Sequence, residues 1–146
     1  LVSIAAALTA SKVVLLDSII TNIDRTAKNT TLLNWNSELW LIDHGASLYF
    51  HHNWKNWKMH LDRTFPNVKD NVLLERADQL TTAAQDIQTT ITEDKIAAII
   101  TTIPEDWLIE ASNTLSPEEM RTAYTQFLNA KLSKIDLLAK EAADAR

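Results

Sequence analysis

A chain of 146 residues is long enough for one ordinary domain with its own core, and 46% hydrophobic with 23% charged residues is a soluble globular composition. The absence of cysteine excludes a disulfide framework and a thiolate metal site, and it fits a reducing, cytoplasmic setting. The net charge of −5 is uneven: residues 1–60 hold five Lys/Arg against four Asp/Glu, while residues 61–146 hold nine against fifteen. No basic cluster could neutralise a run of phosphates, so nucleic acid is not an expected partner.

The chain begins at Leu1 rather than Met, as a processed chain or a piece of a longer protein would. Its opening is apolar, but Lys12 and Asp17 interrupt it before a membrane-spanning length, and no basic segment precedes it as in a signal peptide. Ile4, Leu8, Val14, Leu15, Ile19 and Ile20 recur at roughly helical spacing, so residues 2–20 read as a buried amphipathic helix. The polar stretch "TNIDRTAKNTT" then breaks the pattern. Two short runs rich in Leu, Ile and Trp follow, joined by Asn36 and Ser37, and they read as a β-hairpin over 31–35 and 39–43.

Residues 44–68 carry all four histidines with Trp54 and Trp57 and show no period; such a stretch in a small domain is expected to be packed and functional. From Val68 to Ile87 apolar residues return at helical spacing. Thr92 reads as the N-cap of a helix that Pro104 closes. Ser116, Pro117 and two glutamates open one long helix to residue 145. No repeat or flexible linker marks a domain boundary, so the expectation is a single, mainly α (α+β) domain with one small hairpin.

The chemistry concentrates around that hairpin. Asp24 and Asn29 lie five apart in "NIDRTAKN", and Asp43 opens "DHG" after the second strand, before the chain's single glycine, Gly45. Phosphoryl transfer in a protein-kinase-like fold uses this set. One Asp orients the acceptor hydroxyl, an Asn five residues later binds magnesium, and an Asp beyond the next hairpin holds the metal that bridges the phosphates. Oxygen donors of this kind suit a hard cation. A residue just after a metal-binding Asp often needs positive φ or close backbone approach, which glycine supplies, and Gly45 is expected to serve there.

The segment "DSIITNIDRTAKNTTLLNWNSELWLIDHGASLYFHHNW" resembles the HipA-like kinase family, particularly its compact bacterial branch. It is similar more distantly to the type II phosphatidylinositol 4-kinases. "VKDNVLLERADQL", "IPEDWL" and "RTAYTQFLNAKL" resemble the C-terminal helices of the same branch, so the likeness covers most of the chain. The resemblance implies the C-terminal lobe of a kinase, whose hairpin carries the catalytic and DFG-like loops. Asp24 is then the catalytic aspartate, and Asn29 and Asp43 ligate Mg²⁺ or Mn²⁺. Asn22 and Arg25 support the cofactor loop, and Gly45 sets its turn. It implies ATP as a ligand and a hydroxyl-bearing acceptor, whether protein, lipid or small molecule.

Two departures stand out. The family's cation two residues after the catalytic Asp is replaced by Thr26, with Lys28 as the substitute. The DFG phenylalanine is replaced by His44. The glycine-rich nucleotide lobe and its lysine–glutamate pair are expected outside this chain, leaving the lobe inactive alone. The alternative is a degenerate kinase fold that serves as an interaction or regulatory module without catalysis, and a third reading is an unrelated helical binding protein.

Blander roles are weighed beside these. His44, His51, His52 and His60 could form a zinc site with Asp43, but they lack helical ligand spacing and a general base, so packing is preferred. Ser47 and Tyr49 could be phosphorylated, with ordinary hydrogen bonding preferred. Trp35 and Trp40 are expected to pack across the hairpin turn, and Trp54, Trp57 and Trp107 to anchor loops to helices.

Overall fold

A computed structural model describes residues 6–111 and 114–146. Helix α1 (Ala7–Ile19) turns Ala10, Val13, Val14, Leu15 and Ile19 into the interior. Residues 2–5 of the expected helix lie outside the described residues. The helix stops where Thr21 adopts positive φ (52°) and Asn22 N–H donates to the Asp17 carbonyl at 2.8 Å, a six-to-one bond of the Schellman kind.

Strands β1 (Leu32–Trp35) and β2 (Glu38–Leu41) pair antiparallel, Leu32 with Leu41 and Trp35 with Glu38. Asn36 and Ser37 both take positive φ (51° and 66°), the two-residue turn whose twist matches the strands. The ladder is shorter than expected at its open end because Thr31 (44°) and Asp43 (52°) are left-handed and leave the sheet. One face sends Leu32, Leu39 and Leu41 to the core, while Leu33, Trp35 and Trp40 face outward. Trp35 and Trp40 share that outer face diagonally and stay 59% and 50% exposed, so they do not bury each other as expected.

Residues 44–76 hold a succession of 3₁₀ turns at Tyr49–His52, Trp54–His60, Pro66–Asp70 and Leu74–Arg76. Phe50 and Trp54 are buried in this stretch, Trp54 edge-on to Phe50 and Tyr124 at 5.7 and 5.3 Å between centroids. Trp57 packs partly buried against the same cluster, whereas Trp107 is 68% exposed and does not take the anchoring place expected of it among the described residues.

The expected helix over 68–87 is α-helical only from α2 (Leu80–Thr90). Upstream, tertiary ties override the periodicity. Asn71 is extended and bridged to Thr26, and Val72 N–H donates to the Arg25 carbonyl at 3.0 Å. Helix α3 (Glu93–Thr101) starts as read, with Thr92 Oγ1 accepting from Lys95 N–H at 3.3 Å, and α4 (Glu105–Ala111) follows Pro104.

The long terminal helix is two, α5 (Pro117–Ser133) and α6 (Ile135–Ala145), broken at Lys134. A full capping box starts α5: Ser116 Oγ accepts from Glu119 N–H (3.2 Å) while the Glu119 carboxylate accepts from Ser116 N–H (2.7 Å). The break follows from the side chains at the end of α5. Lys131 and Lys134 are pulled toward the 60–63 segment, and α6 turns back to pack on α1 and α2.

The architecture is therefore mainly helical with a small two-stranded antiparallel sheet. One core lies between α1, α2 and α6, a second between α3, α5 and the Phe50–Trp54 turns, and Ile91, Leu128 and Leu132 touch both. Among the described residues no helix is long and apolar enough to cross a membrane.

Candidate active site

Asp17 interrupts the apolar face of α1 and is fully buried. A carboxylate there is tolerable only if it is paired and hydrogen-bonded. Its Oδ2 accepts from Arg25 Nε (2.7 Å) and Asn71 Nδ2 (2.8 Å), and its Oδ1 from Asn22 Nδ2 (3.0 Å) and Arg25 Nη2 (3.3 Å). Both oxygens are thereby satisfied.

The rest of the Arg25 fork reaches the hairpin. Nη1 donates to the Thr31 carbonyl (2.6 Å) and hydroxyl (2.9 Å), and Nη2 lies 3.2 Å from His44 Nε2. Arginine can only donate, so Nε2 of His44 accepts and the ring carries its proton on Nδ1. One buried guanidinium thus joins α1, the segment entering β1 and the loop leaving β2. Asn22 and Arg25, at 3% and 1% exposure, hold the loops from beneath and have no surface for a cofactor.

Above this anchor the polar groups are open. Asn22 Oδ1 accepts from Asp24 N–H at 3.2 Å and orients the residue. The Asp24 carboxylate accepts from Asn29 Nδ2 at 2.8 Å, across a loop closed by reciprocal Thr26 and Asn29 backbone bonds (3.0 and 3.2 Å). The amide nitrogen of Asn29 being spent on Asp24, its Oδ1 is the atom available to a ligand. Asp43 is exposed, and its Oδ1 is 3.5 Å from Gly45 N–H. Asp24 and Asn29 are in direct contact, and Asp43 stands on the loop whose next residue, His44, meets Arg25.

Gly45 corrects one expectation. Its φ is not positive, and a Cβ built on it would lie 3.4 Å from Asp43 Oδ1, an ordinary contact with a side chain free to move. Asp43 itself takes the left-handed conformation, which aspartate tolerates better than most residues. Lys28 is exposed beside a shallow cavity of about 310 Å³ that it shares with Thr26, Ala27 and Asp70.

The chain matches no protein-family model, no curated protein and no solved structure.

The Asn29 carboxamide oxygen and the Asp43 carboxylate are donor types that suit a hard divalent cation rather than a soft one. Among the described residues no three His, Asp or Glu side chains gather as metal ligands. His51 and His52 are in edge-on ring contact at 4.5 Å between centroids, with the His51 ring 3.4 Å from the Tyr124 hydroxyl, while His44 meets Arg25 and the His60 carbonyl accepts from Lys131. Burial and then the neighbouring His52 push the His51 pKa down. Ser47 is buried with no partner for its hydroxyl among the described residues, against its expected hydrogen-bonding role, whereas Tyr49 is 57% exposed.

Sequence reasoning missed Asp17 and Asn71. Asp17 carried a signal, a charge on the apolar stripe of a helix. Asn71 carried none, because its partner lies 54 residues away.

Proposed function

We propose that this chain is the C-terminal lobe of an atypical, HipA-like kinase that binds ATP with Mg²⁺ or Mn²⁺ and passes a phosphoryl group to a hydroxyl acceptor. The observation that carries the reading is the Asp17–Arg25–His44 linkage, which keeps the Asp24–Asn29 loop beside the Asp43 loop although a hairpin separates them in sequence.

In this reading Asp24, oriented by Asn22 and Asn29, accepts a hydrogen bond from the acceptor hydroxyl and holds it in line. Asn29 Oδ1 and the Asp43 carboxylate hold the divalent ion, which when bound neutralises charge on the phosphates. Lys28, exposed on the same loop, supplies the cation that Thr26 cannot. Asp17 and Arg25 take no part in the chemistry and act as positioning residues. The single glycine of the chain cannot form a glycine-rich phosphate loop, so turnover requires a second, strand-rich lobe.

Calorimetric titration of this chain with Mn²⁺ and ATP is the test. Metal-dependent nucleotide binding that Asp43→Ala abolishes supports the reading, and its absence from the parent chain joined to its nucleotide lobe overturns it. A second reading, an interaction module on the same fold, is favoured by the outward apolar face of Leu33, Trp35 and Trp40. Nucleotide binding without turnover by the two-lobe protein would select it.

A further inference from the structure

Residues 45–61 contain no aspartate or glutamate, although the chain carries a net charge of −5, and they include His51, His52 and His60. The turn Tyr49–His52 seats Phe50 in the second core, its ring 4.4, 5.6 and 5.7 Å from those of Phe127, Tyr124 and Trp54. That seat is held at a cost. Leu48, which enters the turn, takes positive φ (54°), a conformation that leucine rarely adopts. Ser47 Oγ and Trp54 Nε1 are buried with no hydrogen-bond partner among the described residues, and water would satisfy both if the turn opened. The stretch is built of 3₁₀ turns rather than α-helix or sheet, and such segments open locally before a domain unfolds.

A file of four rings crosses it. Tyr124 on α5 places its hydroxyl 3.4 Å from His51 Nδ1, His51 meets His52 edge-on at 4.5 Å, and His52 meets Tyr49 at 5.4 Å. His51 is partly buried, whereas His52 is exposed. Burial first, then the charge of His52, push the His51 pKa below the ordinary imidazole value, while burial raises that of Tyr124 and keeps its hydroxyl protonated. The Tyr124 oxygen can accept from a protonated His51, so the penalty for protonation is the charge itself, placed out of water beside a second imidazole. The groups around it do not offset that charge. Lys55 and Lys58 on the next turn are exposed cations, Lys58 lying 5.9 Å from the Trp57 ring centroid. On α5, Arg121 donates to the Ile103 carbonyl, Glu119 is held in the capping box, and Glu118 lines with Trp57 and Lys58 a hollow that His51 does not reach.

We propose that the His51–His52 pair is an acid-sensitive latch, closed while both imidazoles are neutral, whose protonation lifts the turns Tyr49–His52 and Trp54–His60 off α5 and exposes Phe50 and Trp54. In the seated turn His51 takes up a proton less readily than in the open one. As pH falls through the imidazole range the open form therefore gains the proton first and is favoured, by about tenfold per pH unit for each such proton. Opening also relieves Leu48 and hydrates Ser47 and Trp54, so the closed state has little else to lose beyond the burial of Phe50 and Trp54.

The test is native-state amide hydrogen exchange of this chain from about pH 7.5 to about pH 5, corrected for intrinsic exchange, with the imidazole resonances followed in parallel. The opening constant at residues 50–54 and at the Trp54 indole should rise roughly tenfold or more over that range, while α1 and α2 keep their protection. His51→Phe keeps a ring on the wall but cannot take a proton, and it should hold the opening constant level. His52→Gln, at an exposed position that leaves the seat intact, should make the acid rise smaller than in the parent. A parent opening constant independent of pH, His51 titrating at or above the ordinary imidazole value, or an equal rise in His51→Phe overturns the proposal. Loss of α1 and α2 protection at the same pH overturns it too, because the whole domain is then unfolding. If His51→Phe does not fold, His52→Gln decides, and an undiminished rise in that variant overturns the latch.

Discussion

Arg25→Met keeps most of the side-chain volume and removes the guanidinium, so it isolates what the buried charge does. Asp17 would retain Asn22 and Asn71 as donors but lose its counter-charge at 2.7 Å, and the Thr31 carbonyl and hydroxyl would lose their shared donor. Breaking a buried ion pair from one side costs roughly 3–5 kcal/mol, and both partners here have fully buried side chains, so a loss of about 4 kcal/mol is expected. Against a total stability of order 5–15 kcal/mol this is a large fraction. At about 3 °C per kcal/mol for a chain of this size, the melting midpoint should fall by roughly 12 °C.

Urea unfolding with an unchanged slope measures the free energy, and a thermal scan measures the midpoint. The double variant Arg25→Met with Asp17→Leu should recover much of the loss, because apolar residues of similar volume can replace a buried pair, giving a coupling of about 2 kcal/mol or more. A single-variant loss under about 1 kcal/mol, or additive losses in the double variant, would refute the view that this pair anchors the two loops.

Gly45→Ala should be neutral or stabilising by up to about 0.5 kcal/mol in urea unfolding, since φ is not positive and the added Cβ meets only the Asp43 side chain; a loss above about 1 kcal/mol would contradict that loop geometry. Ser116→Ala removes half of the capping box and should cost about 1 kcal/mol by the same assay. Burial lowers the Lys131 pKa from 10.5 to about 8, so above pH 8 the folded state releases that proton before the unfolded state does. The unfolded state then binds more protons, and parent stability should rise relative to Lys131→Met by about 2 kcal/mol between pH 8 and 10. Parallel pH profiles for parent and variant would show that Lys131 is not held in that environment.

The hairpin was legible because its signals are local: two short apolar runs, and a two-residue joint that tolerates positive φ. The α3 and α5 starts were legible for the same reason, through Thr92 and through Ser116 with Glu119. The helix expected over 68–87 failed upstream of Leu80 because Asn71 is held by Thr26 and Asp17, contacts that no window of sequence contains. The terminal helix failed at Lys134 for a similar reason, its lysines being drawn to carbonyls of the 60–63 segment.

In the candidate site, the Asp24–Asn29 spacing gave a pair that meets at 2.8 Å. Asp43 stands on the loop leaving β2, whose next residue, His44, meets Arg25. What the spacing could not give was the buried support. Asp17 stood in plain view as a charge on an apolar stripe, and its partners became identifiable only when α1, the loop and residue 71 were seen together.

The central claim is that Asn29 and Asp43 hold one divalent ion together with nucleotide, beside the catalytic Asp24. Paramagnetic broadening of backbone amides on titration with Mn²⁺ and ATP tests it most directly. The account predicts simultaneous loss of the Asp24, Asn29 and Asp43 signals at low metal, deepened by ATP and abolished by Asp43→Ala. Broadening confined to the acidic helices after residue 90, or at one of the two loops without the other, would contradict it.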